Sequence, residues 1–151
     1  MEIKSILFIF FILPFALSYG QKNSKNNTEL NNYFNTSLSQ DQRQAIYKKI
    51  ADYSGKIRQN PKNPNNYINR GVCYAKMGLY PDAICDYDNA IKIDSLIPEA
   101  YYNRGIARGR FRYTKNACID ILKAYQMGLT QAKNLFDKKC GMYRSVLSFD
   151  N

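Results

Sequence analysis

The sequence predicts an all-α fold, and three observations support that prediction. Of the 151 residues, 45% are hydrophobic and 23% are charged, which is the composition of a chain that folds around a core. Apolar residues recur at spacings of three and four over residues 45–57, as they do on one face of an α-helix. Residues 67–94 also align without a gap on residues 101–128. We call the distance along the chain from residue 67 to residue 101 the repeat period. A repeat period of this length is typical of stacked helical units.

The absence of histidine limits the chemistry that the chain can perform. It excludes histidine metal ligands, Ser-His-Asp and Cys-His nucleophile systems, and histidine acid–base catalysis. Asp86 and Asp88 stand two residues apart on a predicted helix and therefore point to different sides, and no Gly-rich phosphate loop is present. The sequence predicts a non-enzymatic protein with no catalytic residue, no cofactor and no metal site.

The first twenty residues have the pattern of a secretory signal peptide. Lys4 precedes the apolar run 6–13, Pro14 interrupts it, and small residues lead up to Gly20. The run is shorter than the roughly 20 apolar residues that span a bilayer, which argues against the alternative of an uncleaved anchor. We expect cleavage after Gly20 and export to the periplasm or the cell exterior.

Residues 21–38 are rich in Asn and poor in apolar residues. Such a segment buries too little surface to offset the entropy of ordering it, so we predict a disordered tether. Asn26 and Asn35 lie in glycosylation sequons, which have meaning only in a eukaryotic host, and whether they are used stays open.

Helical signals begin directly after the tether. A first helix is predicted over residues 39–60, because Ser39 can cap its start and the Asn- and Pro-rich segment 60–64 stops it. Its apolar face consists of Ala45, Ile46, Ile50, Tyr53 and Ile57. A last helix is predicted over Thr130–Lys139.

The two copies of the repeat share residues at several positions. The pairs are Tyr67 with Tyr101, Asn69 with Asn103, Arg70 with Arg104, Gly71 with Gly105, Ala83 with Ala117, Asp86 with Asp120, and Ala90 with Ala124. The first copy resembles the tetratricopeptide repeat, a helix-turn-helix unit, at Tyr67, Gly71, Tyr74, Gly78, Tyr80, Ala83, Tyr87 and Ala90. The second copy departs from that pattern at Arg108, Arg112 and Ile121.

The resemblance implies a short right-handed α-solenoid of two tetratricopeptide helix hairpins flanked by capping helices. The first hairpin covers residues 64–97 and the second covers residues 98–131. Residues 39–60 then form an N-terminal capping helix, and residues 132–151 form a C-terminal capping helix and tail. The C-terminal end is similar to that of small secreted bacterial tetratricopeptide proteins. Small residues such as Gly71 let the two helices of a hairpin approach closely.

In both copies an Asp follows the shared Arg by sixteen residues. Arg70 and Asp86 fall level on the two antiparallel helices of a hairpin, and so do Arg104 and Asp120. A partly buried guanidinium needs an acceptor, so we predict an ion pair inside each hairpin. The alternative is that these arginines anchor an acidic ligand.

The four cysteines all lie after the expected cleavage point. An even number in an oxidising compartment favours disulfides, and the spacings make a poor zinc site. In the implied solenoid Cys118 lies on the second hairpin and Cys140 ends the helix that packs on it, so we favour a bridge between them. Cys73 and Cys85 fall nearly level on facing helices, and a bridge there is geometrically possible if the side chains point toward each other.

In the tetratricopeptide family the first helices of the repeats line the ligand groove. The resemblance therefore implies eight partner-binding residues: Ile68, Asn69, Val72, Lys76, Tyr102, Asn103, Ile106 and Arg110. Ile68 and Val72 stand where members that clamp a carboxylate carry Lys and Asn, so that binding mode is not expected. The implied function is a scaffold or adaptor that binds a protein or peptide partner, including an acidic one.

The charge distribution supports an alternative function. The net charge is +10, and residues 99–144 carry ten basic and three acidic side chains. Such a surface can sit on an anionic lipid or polymer, so a structural, envelope-associated protein is the rival hypothesis. Membrane-surface association stays open, nucleic acid is not expected as a partner, and the sequence does not indicate an oligomeric state.

Overall fold

The computed structural model describes residues 38–147. The predictions for the signal peptide, for the tether as far as residue 37, for the sequons at Asn26 and Asn35 and for the last four residues of the tail lie outside the described residues. Within 38–147 the chain forms six α-helices and no β-strand, so the predicted all-α class is confirmed. None of these helices is long and apolar enough to cross a membrane.

The helices follow one another with short connections. They are α1 (Gln40–Gln59), α2 (Pro64–Lys76), α3 (Tyr80–Ile93), α4 (Pro98–Arg108), α5 (Lys115–Gln126) and α6 (Thr130–Lys139). A 3₁₀ turn over Gly141–Tyr143 follows α6.

Local signals in the sequence set the helix boundaries. Ser39 caps α1 as predicted: its backbone N–H donates to Gln42 Oε1 at 2.8 Å, and its Oγ accepts from the Gln42 N–H at 3.2 Å. Asn63 caps α2 and Thr114 caps α5 through their side-chain oxygens. After α2, Gly78 adopts a φ of 77°, a left-handed conformation that glycine accepts without strain, and the chain turns back into α3.

Each helix packs against the next one along the chain. The contacts are most extensive between α2 and α3, joined by residues 77–79, and between α4 and α5, joined by residues 109–114. Packed helices joined by so few residues run antiparallel. Successive connections therefore alternate between the two ends of the described helices.

Two clusters of buried side chains form the core. The first lies among α2, α3 and α4 and contains Ile68, Ala83, Tyr87, Ala90, Ala100 and Ala107. The second lies on α5, on α6 and on Cys140 directly after α6, and contains Cys118, Ile121, Leu122, Ala124, Ala132, Phe136 and Cys140. Helix α1 has no buried residue: of its predicted apolar face, Ala45 is exposed and the other four residues are half-buried.

Two glycines mark close approaches between helices. A Cβ on Gly71 would lie 2.7 Å from Cε1 of Tyr87. A Cβ on Gly105 would lie 2.7 Å from Cγ1 of Ile121 and 2.9 Å from the carbonyl oxygen of Ala117. These distances are too short for a side chain, so only glycine allows the helices to cross in this way.

The favoured bridge between Cys118 and Cys140 is confirmed, with a Cα–Cα distance of 5.6 Å. The bridge considered between Cys73 and Cys85 is wrong, because both are free thiols. Tyr87 faces α2, and Cys85, two residues earlier and therefore on another side of α3, is exposed. Cys73 is buried, and burial raises the pKa of its thiol.

Candidate functional site

A cleft of about 280 Å³ opens among α2, α3 and α4. Its lining residues are Val72, Ala75, Lys76, Tyr80, Tyr87, Asn103, Ile106, Ala107 and Arg110. On α2 and on α4 these residues are separated by one, three or four positions, so each helix presents one face to the cleft. The lining follows the internal repeat, since Ile106 and Arg110, which lies just after α4, stand one repeat period after Val72 and Lys76.

The structure brings five of the eight predicted binding residues together in this cleft: Val72, Lys76, Asn103, Ile106 and Arg110. Ile68 is only 9% exposed and belongs to the core among α2, α3 and α4. Tyr102 packs against the core cluster of α5 and α6. Both stand one turn before a lining residue, where neighbouring helices already cover that face. Asn69 is exposed and does not line the cleft.

Sequence reasoning missed the residues that α3 contributes to the cleft. Tyr80 and Tyr87 lie on the second helix of the hairpin, whereas the family resemblance assigns the groove to the first helices. Tyr80 and Tyr87 are two helical turns apart and therefore lie on one face of α3. That spacing is the sequence signal from which they could have been found. Tyr87 is 1% exposed, and its burial raises the pKa of the phenol, which stays neutral.

The Tyr80 ring and the Arg110 guanidinium form one rim of the cleft, and the Phe111 ring packs against Tyr80 outside the lining. Nε of Arg110 donates a hydrogen bond to the Tyr80 hydroxyl at 2.6 Å, and its guanidinium carbon lies 5.7 Å from the Tyr80 ring centroid. The Phe111 ring meets the Tyr80 ring edge-on, with the centroids 6.3 Å apart. These contacts hold the start of α3 against the end of α4 and fix the cation at the cleft.

The cleft is mainly apolar and carries positive charge. Lys76 and Arg110 are exposed, and within residues 38–147 neither forms a salt bridge. No described carboxylate lines the cleft, and Asn103 adds an amide that can donate and accept hydrogen bonds. Such a lining favours a ligand in which an apolar side chain lies next to a negatively charged group.

The ion pairs predicted inside the hairpins are present. Nε and Nη2 of Arg70 donate to the two carboxylate oxygens of Asp86 at 2.8 and 2.7 Å. Arg104 binds Asp120 in the same bidentate way, at 2.9 and 2.7 Å. The hydrogen bonding to Asp86 raises the pKa of Arg70. Because these guanidinium groups are occupied by carboxylates, they serve the fold rather than an acidic ligand.

Each of these arginines has a second hydrogen-bond partner that sequence reasoning missed. Nη1 of Arg70 donates to the Ser54 hydroxyl on α1 at 3.0 Å. Nη1 of Arg104 donates to the Asp88 carboxylate on α3 at 2.5 Å. Ser54 and Asp88 stand one repeat period apart, so the second partner also follows the repeat. Each arginine therefore ties three consecutive helices together.

A scan against protein-family models finds no match for this chain, and a search of curated proteins finds no relative. In the described part of the chain, no group of three or more His, Cys, Asp and Glu side chains is placed to hold a metal ion. The cleft is therefore interpreted from its own geometry and charge.

Proposed function

We propose that this protein is an exported, non-enzymatic interaction module of the tetratricopeptide type, and that its cleft binds a peptide with acidic and apolar side chains. The observation that carries the proposal is the lining of the cleft, where apolar side chains lie beside Lys76 and Arg110 with no described carboxylate. A peptide with an acidic residue close to an apolar one complements that lining in both charge and polarity.

The repetition of contacts supports the tetratricopeptide interpretation. Gly71 meets Tyr87, and one repeat period later Gly105 meets Ile121 in the same way. The arginine-centred contacts recur at the same spacing. The pairs α2–α3 and α4–α5 are then the two hairpins of a short right-handed solenoid, with α1 and α6 at its ends.

The charges of α1 support its role as the N-terminal cap. The positions one repeat period before the buried Ala83 and Ala90 are occupied by Lys49 and Lys56. Lys56 forms a salt bridge with Asp52 at 2.8 Å on the same helix. Helix α1 has lysines at the positions where α3 has alanines. Because a further helix cannot pack closely on these lysines, the repeat ends at α1.

The disulfide supports export. A bridge such as that between Cys118 and Cys140 persists in oxidising compartments, which include the periplasm and the cell exterior. The signal-like pattern of residues 1–20 agrees with it. N-terminal sequencing of the protein recovered after cell fractionation tests this point. We expect a start at Gln21 outside the cytoplasm, and an intact Met1 in the cytoplasmic fraction contradicts export.

Selection from a displayed library of random peptides tests the proposed ligand class. Enriched peptides are expected to carry Asp or Glu close to an apolar residue, and Lys76→Ala combined with Arg110→Ala is expected to weaken their binding about tenfold. Lys138→Ala combined with Lys139→Ala removes two exposed cations outside the cleft and is the matched control. Enrichment without acidic residues, or equal weakening by both double variants, argues against the cleft as the binding site.

A further inference from the structure

One end of the described helices differs from the other in its side chains. Because neighbouring helices run antiparallel, the connections after α2 and after α4 lie at the same end as the segment that follows α6. We call this end, made of residues 76–79, 109–115 and 138–147, the basic end. The connections 60–63, 94–97 and 127–129 lie at the opposite end.

The basic end exposes four large apolar side chains. Phe111 and Met142 are each 77% exposed, Val146 is 62% exposed and Leu79 is 40% exposed. All four stand on connections or on the segment after α6, so they project from the end of the helices. Neighbouring apolar side chains that face solvent mark an interaction surface.

Cations surround these apolar side chains. The exposed ones are Lys76, Arg110, Arg112, Lys115, Lys138 and Lys139, and none of the six forms a salt bridge within the part of the chain that the structure describes. Arg144 is at the same end and pairs with Asp137. The first turns of α1 and α3, which start at this end, add Asp41 and Asp82. Positive charge therefore exceeds negative charge at the basic end.

Packing holds the segments of the basic end together. Tyr113 and Tyr143 come from two different segments, and both pack against the core cluster of α5 and α6. The Phe111 ring meets Tyr80, which directly follows Leu79 in the chain. The exposed apolar side chains and the cations thus stand on segments that pack at the same end of the helices.

The opposite end provides an internal reference. Leu96 is 80% exposed there, and Asp94 and Glu99 lie within three residues of it. The Asp94 carboxylate accepts a hydrogen bond from the Leu96 N–H at 2.8 Å. This apolar side chain is as exposed as Phe111, but its neighbours are carboxylates.

We propose that the basic end docks on an anionic phospholipid surface. Phe111 and Met142 enter the boundary between headgroups and acyl chains, while the arginines and lysines contact the lipid phosphates. Long basic side chains fit beside inserted apolar groups because their stems are aliphatic and their charged ends reach the headgroups. A rigid protein partner would need a separate cavity for each projecting side chain, whereas a fluid lipid layer accepts all of them.

This docking goes beyond the peptide-binding function and does not depend on it. Phe111 and Met142 do not line the cleft, and the cleft residue Ile106 lies on α4 before the connection that carries Phe111. Ile106→Ser is therefore expected to change peptide binding and leave vesicle binding as it is.

Vesicle co-sedimentation tests the docking, with the same N-terminus in every variant of the purified protein. Binding is expected to phosphatidylcholine vesicles that contain phosphatidylglycerol, and not to phosphatidylcholine alone. Phe111→Ser combined with Met142→Ser is expected to weaken binding roughly tenfold, because the inserted apolar surface is lost. Arg112→Gln combined with Lys115→Gln is expected to weaken it by a factor on the order of ten, and Leu96→Ser is expected to leave it unchanged.

A fluorescent reporter tests insertion separately from charge. The chain contains no Trp, so Phe111→Trp introduces a single indole at the basic end and Leu96→Trp introduces one at the opposite end. Anionic vesicles are expected to shift the emission of the Phe111→Trp variant to shorter wavelengths and to leave that of the Leu96→Trp variant in place.

Several results overturn the proposal. These are equal binding to both kinds of vesicle, no binding to either, undiminished binding after the Phe111→Ser and Met142→Ser substitutions, and an equal loss from Leu96→Ser. If only the Arg112 and Lys115 substitutions weaken binding, the vesicles attract the protein by charge and no side chain inserts. That result also overturns the proposal and points to an acidic macromolecule as the partner.

Discussion

At the scale of single residues, the helix crossings depend on a glycine that meets a large side chain. Gly71 meets Tyr87 and Gly105 meets Ile121, and both partners are almost fully buried. The missing Cβ lets the partner lie against the backbone of the other helix, and the bulk of the partner fills the space around that contact. The crossing therefore requires a small residue on one helix and a large one on the other.

Alanine substitutions test these crossings. Gly71→Ala and Gly105→Ala should each lower the free energy of unfolding by about 1 to 3 kcal/mol. The loss should be larger at Gly105, because the new Cβ meets a backbone oxygen at 2.9 Å in addition to a side chain. Gly55→Ala is the matched control: its Cβ would meet only Arg58 Nη2 at 3.8 Å, and we expect stabilisation by up to about 1 kcal/mol. Urea denaturation followed by circular dichroism measures all three, and unchanged stability of the first two variants refutes the close crossing.

A second substitution tests the buried ion pairs. Asp120 is 3% exposed and accepts hydrogen bonds from both Arg104 and Arg108. Asp120→Ala should lower the free energy of unfolding by about 3 to 5 kcal/mol, because it leaves Nε and Nη2 of the partly buried Arg104 without an acceptor. Asp137→Ala, which removes the exposed carboxylate that pairs with Lys133, should leave unfolding nearly unchanged. Similar urea midpoints for the two variants count against a structural role for the Arg–Asp pairs.

At the scale of helices, capping chemistry and periodicity predict where elements lie better than which side chains meet. Helix α1 starts after its Ser39 cap and α6 spans Thr130–Lys139, as expected from the sequence. The family resemblance implies that Ile68 and Tyr102 line the groove, but neither the resemblance nor helical periodicity contains information on how far a neighbouring helix covers that face. The predicted bridge from Cys73 to Cys85 failed for a similar reason. Two residues can stand at the same height on facing helices without their side chains pointing toward each other.

The hydrogen bond between Arg70 and Ser54 shows why part of the architecture could not be predicted from the sequence. This bond joins α1 to α2, and no local sequence pattern marks Ser54 as a partner of Arg70. Ser54 and Asp88 are one repeat period apart. That spacing identifies Ser54 as a partner of Arg70 only once the hydrogen bond between Arg104 and Asp88 is known. The cleft residues on α3 were missed for a similar reason, because repeats of one helix do not reveal what its neighbour contributes.

The disulfide attaches the last helix to the rest of the molecule. Helix α6 is ten residues long, and the bridge between Cys118 and Cys140 closes a separation of 22 residues. Cys118→Ser combined with Cys140→Ser should lower the free energy of unfolding by about 3 kcal/mol. Reductant should destabilise the wild type by a similar amount and have no effect on the double variant. Cys85→Ser, at an exposed free thiol, is the control, and a wild type that is insensitive to reductant in urea denaturation contradicts the bridge.

At the scale of the whole molecule, two polar triads link five helices. The first joins α1, α2 and α3 through Ser54, Arg70 and Asp86. The second joins α3, α4 and α5 through Asp88, Arg104 and Asp120. Because α3 belongs to both triads, the positions of α2 and α4 on either side of it are set before any ligand binds. The cleft is therefore preorganised, which would lower the entropic cost of binding the proposed peptide.

The affinity of an enriched acidic peptide for two isoleucine variants tests the central claim, that this cleft is the partner-binding site. Ile106 lines the cleft and is 36% exposed, whereas Ile119 lies on α5 outside the cleft and is 40% exposed. Ile106→Ser should raise the dissociation constant of the peptide about tenfold, and Ile119→Ser should leave it unchanged while both variants keep the wild-type helix content. An equal effect of the two substitutions, or no effect of Ile106→Ser, would contradict this assignment.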